Sequence, residues 1–152
     1  MDVNRFIQTL QLIHLSLVAG LLVFSVFAFV QNNGFNTDLT TDSSMLYLVP
    51  ITALLGYFGS QLLFKKMLSN IKLSDSFDTK LNTYQIASLV KYALIEAPAF
   101  IALFVYYTIG NALPLVIAVC LLAYLFVQRP NKEKIINILP LNSEERRALD
   151  GK

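Results

Sequence analysis

The sequence is poor in the residues on which most active sites are built. It has one histidine, His14, and one cysteine, Cys120, so there is no Cys/His cluster to hold a metal and no Ser-His-Asp set to build around the single imidazole. A glycine-rich phosphate loop is missing as well. The chain is therefore read as no enzyme, with no catalytic residue, no metal and no cofactor. Cys120 has no partner for an internal disulfide and is read as a small hydrophobe. Charge is scarce, at 14% of residues where an ordinary soluble chain has about 25%. Of the twelve lysines and arginines, none lies between Leu10 and Phe64 or between Tyr92 and Gln128. Nowhere do four or more basic residues run together, as a phosphoinositide-binding tract would require. No nucleic-acid partner is expected.

What fills those gaps is apolar. Hydrophobic residues make up 55% of the chain and mean hydropathy is +0.57, too apolar for a soluble domain. The expected partner of the chain is thus the lipid bilayer. Four apolar segments, over about 10–30, 45–64, 86–109 and 112–128, are long enough to be helical spans. The expected fold class is all-α: a polytopic four-helix bundle running up-down-up-down, as one membrane domain over 1–152. A removable leader is disfavoured, because the first apolar run exceeds the usual h-region and Phe27-Ala-Phe-Val30 lacks small residues at a cleavage site.

Between the spans the signals are local. The stretch Gln31 to Ser44 is polar and carries no basic residue, so it reads as an aqueous loop, with Asp42, Ser43 and Ser44 offering caps for the second helix. Over 65–85 charged and apolar residues mix, which predicts two helical extensions beyond the membrane surface, with Asp75 or Asp78 capping the second. Leu68, Ile71, Leu81, Tyr84 and Leu89 supply their apolar contacts. Gly110-Asn111 is a tight turn that makes the third and fourth spans antiparallel neighbours. Arg129-Pro130 ends the fourth span. An amphipathic tail over 131–152 follows, in which Ile135, Ile136, Ile138 and Leu139 give an apolar face and Asn142-Ser-Glu-Glu145 resembles a capping box.

Arg5, Lys65, Lys66, Lys72, Lys80, Arg129, Lys132, Lys134, Arg146, Arg147 and Lys152 all fall on one side of this four-span arrangement. The positive-inside rule then predicts both termini in the cytoplasm of a multi-pass bacterial inner-membrane protein. Tyr47, Tyr106 and Tyr107 are expected at the outer interface and Tyr84 at the inner one.

Inside the spans, polar residues are few. Counting about 20 residues inward from each outer boundary puts His14, Gln61, Glu96 and Tyr124, one from each span, within roughly 5–10 Å of the inner surface. They form a candidate polar layer or ion site, since polar groups in lipid find partners most cheaply in one another. Lys91 falls at the surface, where it can snorkel. Pro98 removes the hydrogen bond to the carbonyl of Leu94 and is either a tolerated kink or a hinge beside Glu96. Thr52, Gly56 and Ser60, with Gly59 beside them, and Ala93 and Ala97 form small-residue stripes for close helix packing, within the chain or in a homo-oligomer.

Ala93-Leu-Ile-Glu-Ala-Pro-Ala-Phe is similar to the carboxylate-bearing helix of the proteolipid (c) subunits of rotary ATPases. The resemblance covers about a dozen residues and implies a proton or sodium ion on Glu96. The chain departs from that family in having a single glycine in Leu17-Val-Ala-Gly-Leu-Leu-Val-Phe and a long segment over 65–90. The acidic third span and the Arg129-Pro130 exit before a Lys/Glu-rich tail resemble uncharacterised small four-span bacterial membrane proteins, which implies no activity. Two functions are therefore open. One is a structural or accessory membrane protein, with a membrane-complex partner or alone, whose polar layer specifies packing. The other is an ion-handling subunit that uses Glu96.

Overall fold

A computed structural model describes residues 3–32 and 44–150. Most of the expected polar loop over 31–44, including the caps Asp42 and Ser43, lies outside the described residues. Among those described, the chain forms six α-helices and no strand: α1 Val3–Gln31, α2 Ser44–Ser69, α3 Phe77–Ile109, α4 Ala112–Val127, α5 Lys132–Ile138 and α6 Ser143–Asp150. Helices α1, α2 and α3 are each long and apolar enough to cross a membrane. Helix α4 is short, with 16 residues, and is long enough to cross only together with α5, from which it is bent by 82°. The chain thus has three to four candidate spans.

The third helix is the axis of the structure. Half of its most apolar stretch is buried inside the protein, against 22% for α1 and for α2. Its neighbours α2 and α4 pack on it most extensively, and α1 packs on both α3 and α4. Helix α1 runs alongside α3 in the same direction, since His14 meets Tyr92, Phe24 meets Phe100 and Phe27 stacks on Tyr107. Helix α2 runs the other way, with Phe64 against Tyr84. At 33 residues, α3 is about 50 Å long at 1.5 Å per residue, well beyond the roughly 30 Å of a hydrocarbon core. Its first turns project past the apolar part, and there the tail closes beneath the bundle.

Local chemistry sets the helix ends. Ser76 caps α3 by accepting a hydrogen bond from the Thr79 amide. The caps expected from sequence, Asp75 and Asp78, are displaced: Asp75 turns back to accept from the Lys72 amide at 2.8 Å, and Asp78 falls inside the first turn, where a carboxylate complements the helix dipole. Gly110 ends α3 in the left-handed region at φ 74°, a conformation that costs glycine little. Asn111 then caps α4. The sequence signal for α6 corresponds to a reciprocal capping box, in which Asn142 and Glu145 each accept the other's backbone amide at 2.8 Å.

The exterior carries Leu12, Leu22, Val26, Leu54, Leu55, Leu62, Val116 and Phe126, all exposed. An apolar surface on this scale, on helices long enough to span, is that of a chain embedded in lipid. Beyond it, the core continues downward through Leu81 and Tyr84 into Ile135, Leu139, Leu141 and Leu149, while Leu68, Ile71 and Leu89 pack against it half-buried. The tail is therefore part of the folded body. Three residues expected at the membrane surface turn inward: Tyr106 is fully buried, Tyr84 is 3% exposed and Lys91 is 9% exposed. Tyr84 meets the Phe64 ring edge-on, and Lys91 has both that ring and the side-chain amide of Gln128.

Candidate functional site

Helix α4 ends at Val127, and Pro130 lacks the N–H to continue it. A helix leaves its last four carbonyls without intrahelical donors, and in an apolar medium each unmet group costs several kcal/mol. Here every carbonyl from Leu125 to Pro130 has a partner. His14 Nε2 donates to Leu125 O at 2.8 Å, Lys134 Nζ to Val127 O at 3.1 Å and to Arg129 O at 2.9 Å, Tyr92 Oη to Gln128 O at 3.3 Å and Gln11 Nε2 to Pro130 O at 2.9 Å. The Arg129 amide takes Phe126 O. Because a carbonyl can only accept, Nε2 of His14 bears a proton.

The donors come from three other helices. His14 lies on the buried face of α1, 3% exposed, with its ring edge against Tyr92 at 5.0 Å between centroids. Gln11 sits one turn earlier on the same face. Tyr92 rises from α3, and its phenol and that of Tyr84 both lie within reach of the Ser88 hydroxyl. Next to it Lys91 donates to Gln128 Oε1 at 2.8 Å and stands 4.7 Å above the Phe64 ring, a cation–π contact. Gln128 thus receives α3 twice, through its amide and through its backbone. Among the described residues no carboxylate pairs with Lys91.

Of the four residues of the expected layer, two meet. Gln61 of α2 donates to the phenol of Tyr124 on α4, which also packs on Tyr57. His14 is spent on the α4 backbone. Glu96 is half-buried and makes no hydrogen bond or ion pair among the described residues, Lys91 included. Pro98 does not break α3, which is helical throughout. Its ring instead fits against Gly56: a side chain there would put Cβ 2.6 Å from Pro98 Cγ and 2.4 Å from Leu94 O. That is the carbonyl whose helical donor Pro98 removes. Gly56 is buried against α3 and Ser60 is buried with its hydroxyl donating to Tyr57 O, whereas Thr52 bonds back to Leu48 O and Val49 O and Gly59 faces open space. Ala93 and Ala97 lie on the exposed face of α3.

Sequence reasoning missed Gln11, Lys91, Tyr92, Gln128 and Lys134 as members of this site. The signal was the Arg129-Pro130 stop itself, which announces a set of orphan carbonyls at the level where Gln11, His14 and Lys91 lie on their own helices. Chemically the arrangement is a clamp made of donors and backbone acceptors, with no nucleophile beside a base. No family model, curated protein or solved structure matches this chain.

Proposed function

We propose that the protein is a structural or accessory component of a bacterial inner membrane, a four-span bundle with both termini in the cytoplasm and no catalytic activity. In this reading α4 is the fourth span. Its short length is accommodated by the clamp, so that the chain leaves the bilayer through capped carbonyls and turns into α5 at the surface. The distribution of basic residues supports the orientation, because the α5–α6 end and the 70–76 turn carry them and the Gly110 end carries none. The observation that carries the reading is the pairing of every carbonyl from Leu125 to Pro130, five by side chains of α1, α3 and α5 and that of Phe126 by the Arg129 amide. Gln11, His14, Tyr92 and Lys134 are thus engaged in holding the end of one helix to three others.

The unpartnered carboxylate of Glu96 favours a second reading, in which Glu96 binds a proton or sodium ion. Thermal unfolding in detergent separates the two. On the structural reading His14→Leu removes a buried donor and costs about 1–3 kcal/mol, while Glu96→Gln leaves the melting temperature unchanged with or without sodium. Sodium- or pH-dependent protection of Glu96 against a hydrophobic carbodiimide, with His14→Leu as stable as wild type, would overturn the structural reading in favour of the ionic one.

A further inference from the structure

Between α1 and α4, at the end of the bundle that holds the clamp, lies a cavity of about 510 Å³ lined by Leu12, Leu15, Val18 and Phe126, with Gln8, Gln11, His14 and Arg129 completing it. Past Gln8 and Gln11, which line both, it adjoins a second, more polar hollow of about 600 Å³ that includes Asn131, Lys132 and Glu133. The inner part is apolar and the mouth is basic. We propose that this cleft is a binding site for one anionic phospholipid of the inner leaflet, with an acyl chain along Leu12, Leu15, Val18 and Phe126 and the phosphate at Arg129 and Lys132. The inference rests on the membrane orientation proposed above.

Charge and availability support this occupant. Lys134 is committed to two carbonyls and Lys91 to Gln128, whereas the side chains of Arg129 and Lys132 make no hydrogen bond or ion pair among the described residues. An arginine presents a planar fork that matches a phosphate, and the bond is strengthened by the charge on both groups. Cytoplasmic-side basic pockets between helices suit anionic headgroups, each basic residue near the surface adding to the attraction. Glu133 is the opposing charge at the mouth. Two cations against one carboxylate leave the mouth net positive, so an anionic headgroup is preferred to a zwitterionic one. The apolar depth distinguishes a lipid from a free phosphate: a soluble headgroup leaves Leu15 and Phe126 without an acyl chain to pack against them.

The test is native mass spectrometry of the detergent-solubilised full chain, titrated with phosphatidylglycerol, with phosphatidylcholine and with glycerol phosphate. Wild type is expected to retain one phosphatidylglycerol with an affinity about tenfold above that for phosphatidylcholine and no glycerol phosphate. Arg129→Ala should abolish the preference, Glu133→Gln should raise it, and Leu15→Trp, which fills the cleft, should remove the bound lipid while leaving the melting temperature without lipid unchanged. Equal retention of both phospholipids by the wild type, a preference that survives Arg129→Ala, or a lipid still retained by Leu15→Trp would overturn the proposal. Failure of the membrane reading is seen separately, as a chain that stays monodisperse in buffer without detergent.

Discussion

Lys80→Ala is expected to destabilise the protein by about 3–5 kcal/mol, the range for removing one partner of a buried ion pair. The Lys80 side chain is fully buried and that of Glu145 is 11% exposed, with Nζ 2.9 Å from Oε2 and 3.0 Å from Oε1. Nζ also donates to Leu73 O at 3.0 Å, so one amine ties the turn before α3 to the helix that ends the tail. Glu145 serves twice, because the carboxylate that receives Lys80 also accepts the Asn142 amide and starts α6. Removing the lysine strands a carboxylate at the base of the core formed by Leu81, Ile135 and Leu149. The expected result is a lowered melting temperature in detergent together with new protease cleavage around Asn142. Replacing both partners, as Lys80→Met with Glu145→Leu, should recover much of the loss, since no charge then remains unpaired. A single variant as stable as the double one would show that the pair does not hold the tail.

The second large effect is expected at Gly56. A methyl group there would lie 2.4 Å from the Leu94 carbonyl and 2.6 Å from the Pro98 ring, and neither can retreat, one being helix backbone and the other a fixed ring. Helix α2 must move away from α3 instead. Overpacking of this kind costs about 1–3 kcal/mol, and the better helix propensity of alanine returns at most about 1 kcal/mol. Gly56→Val, which adds bulk without that gain, should therefore cost about 3 kcal/mol. Gly59→Ala is the control: nothing lies within 4 Å of its added Cβ, and the same unfolding measurement should find it neutral or slightly stabilised. Equal stability of Gly56→Val and Gly59→Ala would remove the close approach from the account.

These two sites mark what was legible in the sequence and what was not. The apolar runs, the Gly110-Asn111 turn, the Arg129-Pro130 stop and the Asn142–Glu145 box are local signals, and each corresponds to an element boundary in the structure. Helix rotation is not local. Helices α1 to α4 are apolar on nearly every face, so the pattern that turns an amphipathic helix toward its core is weak here. Consequently the small-residue stripe sets Gly56 and Gly59 side by side but does not say that Gly56 meets Pro98 and Gly59 meets nothing. The same ambiguity explains why His14, Gln61, Glu96 and Tyr124 share a level but not a network. Depth is countable from the spans, whereas azimuth depends on packing that only the assembled bundle supplies. Lys91 illustrates the cost of assuming the simplest partner: its stem is long enough to reach water, yet Gln128 and the Phe64 ring are closer.

The proposed orientation of a four-span bundle is the claim on which the membrane reading and the lipid cleft depend. It is tested most directly by cysteine labelling of intact cells in a Cys120→Ser background, since Cys120 is exposed on α4 and must first be removed. A membrane-impermeant thiol reagent added from outside should modify a cysteine placed at Asn36, between α1 and α2, and should reach one placed at Ser76, in the turn before α3, only after the cells are opened. Labelling of Ser76→Cys in intact cells, alone or together with Asn36→Cys, would contradict the account.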